Sequence, residues 1–101
     1  MSEVSWQDTL RPLFVRYRDK GQAGMDQMCK RVDPALARQA VSLADYAAQH
    51  LDALDEAKAN RWLGFVQGIL IAGGLTTVQV ERDFTRPLFH ALKGPSASHE
   101  V

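Results

Sequence analysis

Trp62, Leu63, Phe65, Val66, Ile69, Leu70 and Ile71 crowd into the span from 62 to 71. They recur at spacings of three and four, and on a 3.6-residue period they cover most of a helix circumference. A helix apolar on nearly all sides is usually the one that others pack around. The run is broken by Gln67 and stopped by Gly73-Gly74, short of the ~20 residues that span a bilayer. A chain containing it therefore needs other amphipathic helices to cover it. The expected fold is all-α, a compact bundle of four to five helices around a central apolar helix at about 54–72.

The rest of the sequence supplies those helices. Ser5 is a helix cap with Asp8 three residues on, followed by Trp6, Leu10, Leu13, Phe14 and Tyr17 on one face. Pro12 predicts a kink there or a start nearer Leu10, and Gly21 an end. A weaker pattern through Met25, Met28 and Val32 predicts a short helix. Asp33-Pro34 restarts the chain as a cap and first helical residue. The stripe Leu36, Ala40, Leu43, Ala47 and Leu51 follows, with alanines that allow a close neighbour. Asp52 to Glu56 provides a turn and an acidic helix start. After Gly73-Gly74, Thr76 or Thr77 caps a last helix, with Gln79 in capping-box position behind Thr76 and a buried stripe of Val80, Phe84, Leu88 and Ala91. Pro87 predicts a kink, or a restart capped by Thr85. Residues 1–93 then form one domain, and 94–101, small and polar, a disordered tail. Arg11-Pro12-Leu13-Phe14 recurs as Arg86-Pro87-Leu88-Phe89, but the flanks differ and the offset fits no solenoid period.

Apolar residues make up 46% and charged residues 24%, a composition that folds. Twelve basic and twelve acidic side chains cancel, so no global field draws the chain to nucleic acid or an anionic membrane. The middle of the chain is the acidic part, with Arg38 and Lys58 against Asp33, Asp45, Asp52, Asp55 and Glu56. A lone cysteine, Cys29, excludes an intrachain disulfide framework, and the first residues lack a signal-peptide pattern. Both point to a cytoplasmic protein.

The chemistry of an active site is hard to assemble from these residues. His50, His90, His99 and Cys29 are too scattered for zinc-ligand spacing, so neither metal nor cofactor is expected. His50 closes a helix, where its positive form suits the dipole. Lys30 and Arg31 beside Cys29 favour a thiolate, but no histidine neighbours it and no oxyanion-hole motif is present. The carboxylates of Asp45, Asp52, Asp55 and Glu56 read as caps and solvating charge. Gly64-Phe65-Val66-Gln67-Gly68 has neither the preceding strand nor the Lys-Ser/Thr of a phosphate loop. Gly64 and Gly68 instead form a helix-contact pair, for the chain's own core or for a homodimer seam.

Nucleic-acid binding is the alternative. Residues 69–84 can be laid on a helix-turn-helix, with Gly74 in the turn and Val80 inward. Glu81 and Asp83 beside Arg82 on the second helix would face phosphates and oppose it. Arg11 and Arg18 border one side of the first helix's apolar stripe and Arg16 and Lys20 the other, as snorkelling edges of a buried face.

Arg61-Trp62-Leu63-Gly64-Phe65-Val66-Gln67-Gly68, with Gly74-Leu75-Thr76-Thr77 and Arg86-Pro87-Leu88-Phe89, resembles short helical proteins of phage and prophage accessory regions. That resemblance carries no functional residues. It implies a small protein that acts by binding and modulates a host or defence protein, as anti-CRISPR proteins do.

These readings converge on a non-catalytic protein-binding module, a regulator or inhibitor, with a homodimer as one form it can take. Its candidate contact residues are Arg16, Arg18, Lys20, Arg82 and Arg86 with Trp6, Tyr46 and Phe89, because arginine and aromatics concentrate binding energy.

Overall fold

The computed structural model describes residues 5–93, and the bundle expected from the sequence is there. Helix α1 spans Trp6–Ala23, α2 Met25–Met28, α3 Pro34–His50, α4 Glu56–Ala72 and α5 Val78–Lys93, with a 3-10 turn at Leu51–Ala53 between α3 and α4. No strand occurs among the described residues. The expected tail, 94–101, lies outside them.

Local chemistry sets the helix ends. Ser5 Oγ accepts from the Asp8 amide at 3.1 Å, Asp33 Oδ1 from Ala35 at 2.8 Å and Asp55 Oδ1 from Lys58 at 2.7 Å. Each satisfies one of the amides a helix start leaves free. At the end of α4 the Leu75 amide reaches the Leu70 carbonyl and the Gly74 amide that of Ile71, a Schellman turn. The turn needs a left-handed residue, and Gly74 supplies it at φ 80°. The cap of α5 is Thr77, whose Oγ1 accepts from Val80 at 3.1 Å. Thr76, the other candidate, points inward.

Neither proline restarts its helix, for α1 runs unbroken through Pro12 and α5 through Pro87. Both prolines are exposed, as are Asp8 and Asp83 one turn before them, so water can serve the carbonyls left unpaired. Gly21 does not end α1 either. It is buried inside the helix, where an added Cβ would lie 2.5 Å from Val41 Cγ2 on α3. This glycine makes the close helix approach, against the small face of Ala37, Ala40, Ala44 and Ala47.

The core joins Leu10, Leu13, Phe14 and Tyr17 of α1 to that alanine face and to Leu63, Val66 and Leu70 of α4, with Met28 and Leu51 closing its ends. The helix that touches every other is α1. Helix α4, expected at the centre, packs against α1 and α3 and keeps an open side. Gly64, Gly68 and Ala72 face outward there, flanked by half-buried Phe65 and Ile71. An added Cβ at Gly64 or Gly68 meets nothing within 4 Å, so neither glycine makes the intrachain contact proposed for it.

Helix α5 departs furthest from its expected pattern. Val80 is 48% exposed and Phe84 39%, Leu88 is half-buried, and the buried position is Glu81, at 1%. The side chain of Ala91 lies outside the description. The helix is turned by about one residue from the orientation its apolar stripe would choose.

Candidate protein-binding surface

Two arrangements of side chains stand out, one buried and one open. The buried one centres on Glu81. Its Oε1 accepts from the Tyr17 hydroxyl at 2.7 Å and from Arg16 Nε at 3.3 Å. Its Oε2 accepts from Arg16 Nη2 at 3.1 Å and from Thr76 Oγ1 at 2.5 Å. Gln67 Nε2 of α4 donates to the Tyr17 oxygen at 2.9 Å. The guanidinium of Arg16 also lies 4.3 Å from the centre of the Phe84 ring. This clasp draws α1, α4, the connection before α5 and α5 itself to one point. Burial pushes the Glu81 carboxyl up, but hydrogen bonds from Arg16, Thr76 and Tyr17 outweigh it and hold the group below its ordinary range. Burial, and then the bond to Glu81, raise the Tyr17 hydroxyl well above its ordinary value. The clasp is thus a carboxylate held by neutral and cationic donors, with no buried side-chain polar atom left unsatisfied among the described residues.

The open arrangement is a groove of about 520 Å³ between α3 and α4. Leu43, Tyr46, Leu54 and Trp62 form its apolar lining, and Gln39, Ser42 and Lys58 its polar part. The rings of Tyr46 and Trp62 meet edge to face at 6.0 Å, and His50 tilts against Tyr46 at 4.6 Å. Tyr46, 46% exposed, is held between two rings and so presents its face with little freedom left to lose. The 3-10 turn gives the groove its end, because it carries Ala53 and leads into Leu54.

Comparison of the chain with protein-family models, with curated proteins and with solved structures finds no match. Any function must be argued from these surfaces.

The residues singled out from sequence do not gather in one place. Arg16 is drawn into the clasp. Arg18 bonds Asp19 at 3.0 Å and Asp45 at 3.4 Å, while Arg11 pairs with Asp8 and Asp52, so the two border the α3 side as their spacing suggested. Lys20 is partly buried at the end of α1. Trp6 and Phe89 are half-buried and pack on the core. Arg82 and Arg86 are exposed one turn apart on α5. Tyr46 alone of the set lines the groove.

Sequence reasoning passed over Leu43 and Trp62 as contact residues because each sits on an apolar stripe and reads as core, and Leu54 because it falls in the turn before α4. It also placed Glu81 facing phosphates, and the structure turns that carboxylate inward. A carboxylate one turn after a cap and seven residues before Leu88 is the one hint of an inward Glu81. Nothing in the sequence pairs it with Arg16. Among the described residues no three His, Cys, Asp or Glu side chains cluster as metal ligands, and no helix is long and apolar enough to cross a membrane. Cys29 is half-buried against the core.

Proposed function

We propose that this chain is a non-catalytic protein-binding module, and that it binds through the groove between α3 and α4. The observation that carries the reading is the aromatic pair Tyr46–Trp62 set into that groove beside Leu43 and Leu54. Anchors of this type in a pocket, with a polar rim, are where interfaces concentrate their energy. The groove has room for a large apolar side chain, and Lys58 is the charged residue of its lining. The partner it fits presents an apolar residue beside a carboxylate. Such a module acts by occupying or blocking its target, as a regulator or inhibitor. The resemblance to phage accessory proteins suggests that the target belongs to a host or defence system.

Affinity capture with the tagged chain and with its Tyr46→Ala variant, with and without nuclease, tests the proposal. Support is a stoichiometric protein that survives nuclease, is lost with Tyr46→Ala, and rebinds the wild-type chain after purification. A partner retained equally by the variant overturns the groove, and recovery of nucleic acid alone overturns the module.

One observation favours the helix-turn-helix reading over residues 69–84. Glu81 is turned away from the surface, which leaves Arg82 and Arg86 exposed with Asp83 as the remaining nearby carboxylate. Against it, the inward residue of α5 serves α1 through Arg16 and Tyr17, where a helix-turn-helix would pack an apolar residue on the preceding helix.

A further inference from the structure

The fully buried apolar side chains of the described residues come from α1, α2, α3, the 3-10 turn and α4, and none from α5. What α5 buries is Glu81, and what it exposes includes Val78, Val80 and Phe84. Among its described side chains, those in apolar contact with the core are the half-buried Leu88 and Phe89. Between α4 and α5 lies an unfilled space of about 260 Å³, which Gln67 and Ile71 line from one side and Glu81, Arg82 and Thr85 from the other. The bundle of α1, α3 and α4 therefore has its core without α5, while the fully buried side chain that α5 contributes among the described residues is the carboxylate of Glu81.

We propose that α5 is a releasable strap. It leaves α1 as a unit about the Gly73–Thr77 connection while α1, α3 and α4 stay packed, and the clasp at Glu81 is its catch. Cohesion from apolar contact scales with the area hidden from water, and none of the described apolar side chains of α5 is fully buried. The ion pair at its centre gives back much of its attraction as desolvation, so docking through it is weakly favourable in net. Release lets Glu81, Arg16, Tyr17 and Thr76 recover water, so no unpaired charge is left buried. Parting α1 from α3 would instead expose Leu10, Leu13 and Phe14 together with the alanine face they cover. Regions with few buried apolar contacts open below the global unfolding free energy, and the described side chains of α5 meet that description. The connection suits a hinge, since Gly74 already holds a left-handed conformation and the side-chain hydrogen bond of Thr76 goes to Glu81, which leaves with the strap. A partner that prefers one of the two forms would shift the balance between them.

Native-state hydrogen exchange of the full chain, read by mass spectrometry and corrected for intrinsic rates, tests the strap. Amides of α5 should exchange together, at least about tenfold faster than those of α1 and α3. Glu81→Gln, which removes the charge from the ion pair, should accelerate α5 by a further factor of about ten while α1 and α3 change by less than about twofold. Thr76→Val takes away one donor without changing charge, and it should give the same selective pattern to a smaller degree. It carries the test if Glu81→Gln does not fold. Equal protection of α5 and the core helices overturns the proposal, as does a variant that accelerates every helix by the same factor.

Discussion

Changing Gly64 and Gly68 to alanine isolates what an outward-facing glycine pair does on α4. Both residues sit inside the helix at ordinary φ, and a Cβ built at either meets no atom within 4 Å. The substitution then adds no clash and removes the conformational freedom that glycine loses on folding, a gain of about 1 kcal/mol per site. With no shared partner the two gains add to about 2 kcal/mol. For a domain of this size each kcal/mol moves Tm by about 4–8 °C, so the double variant should melt about 8–16 °C higher. Gly21→Ala is the internal control. It brings the same propensity gain, but its Cβ would stand 2.5 Å from Val41 Cγ2, on a branched side chain with few rotamers. Overpacking of about 1–3 kcal/mol outweighs the gain, and Tm should fall. Thermal unfolding followed by circular dichroism measures both, with light scattering alongside. A drop in Tm for Gly64→Ala/Gly68→Ala would refute the reasoning, because only a buried face could resist two methyl groups. If the wild-type chain also proved dimeric and the variant monomeric, the glycines would be the homodimer seam.

Four further outcomes follow from the same geometry. Arg16→Met and Glu81→Leu should each strand the other's charge while α5 is docked and so speed exchange of the α5 amides selectively, whereas the double variant should bring α5 protection back toward that of the wild-type chain. Stability should fall at both ends of the pH range. The lowered Glu81 carboxyl contributes fully above its ordinary value of 4.5 and loses that contribution as pH drops through its folded value; the raised Tyr17 hydroxyl contributes fully below its ordinary value of 10.0 and loses it above, so Glu81→Gln flattens the acid limb of Tm against pH and Tyr17→Phe the alkaline one. Tyr46→Ala should change stability by less than about 1 kcal/mol, as a half-exposed residue, while weakening the captured partner by about tenfold or more in calorimetry. If duplex DNA binds at all, affinity should fall steeply with salt and vanish with Arg82→Glu; no binding at low salt removes the helix-turn-helix reading.

The bundle was legible because its signals are local. Ser5, Asp33 and the glycines at 73–74 mark helix ends by chemistry confined to a few residues, and the structure uses each of them as read. The stripes of α1 and α3 were legible for the same reason, a fixed period facing a single core. The roles of the glycines were not, because close approach is a property of two helices. Gly21 is notable only once Val41 stands opposite, and Gly64 and Gly68 lose their significance once nothing does. The groove was illegible in another way. Leu43 and Trp62 belong to apolar stripes, and only the placing of α3 against α4 across the 3-10 turn, with Leu54 at its end, leaves those stripes incompletely covered around Tyr46.

The rotation of α5 shows why stripes alone misplace a helix. Turned by one residue, α5 would cover Val80 and Phe84, worth about 1.5–3 kcal/mol for each side chain fully buried. The same turn would take the acceptor away from α1. Tyr17 is wholly buried and the Arg16 side chain only 24% exposed, so a hydroxyl and a guanidinium would be left without their partner beneath the helix. A stranded neutral donor costs about 1–3 kcal/mol and a stranded buried charge about 3–5 kcal/mol. The second sum is as large as the first or larger, and Arg16 and Tyr17 therefore choose the rotation. It follows that the exposure of Val80 and Phe84 has a cause inside the chain. Phe84 already has a companion in Arg16. The apolar residues of α5 thus need no partner to explain them, whereas Tyr46 and Trp62, fixed against each other over an open groove, have no such internal reason to stay uncovered.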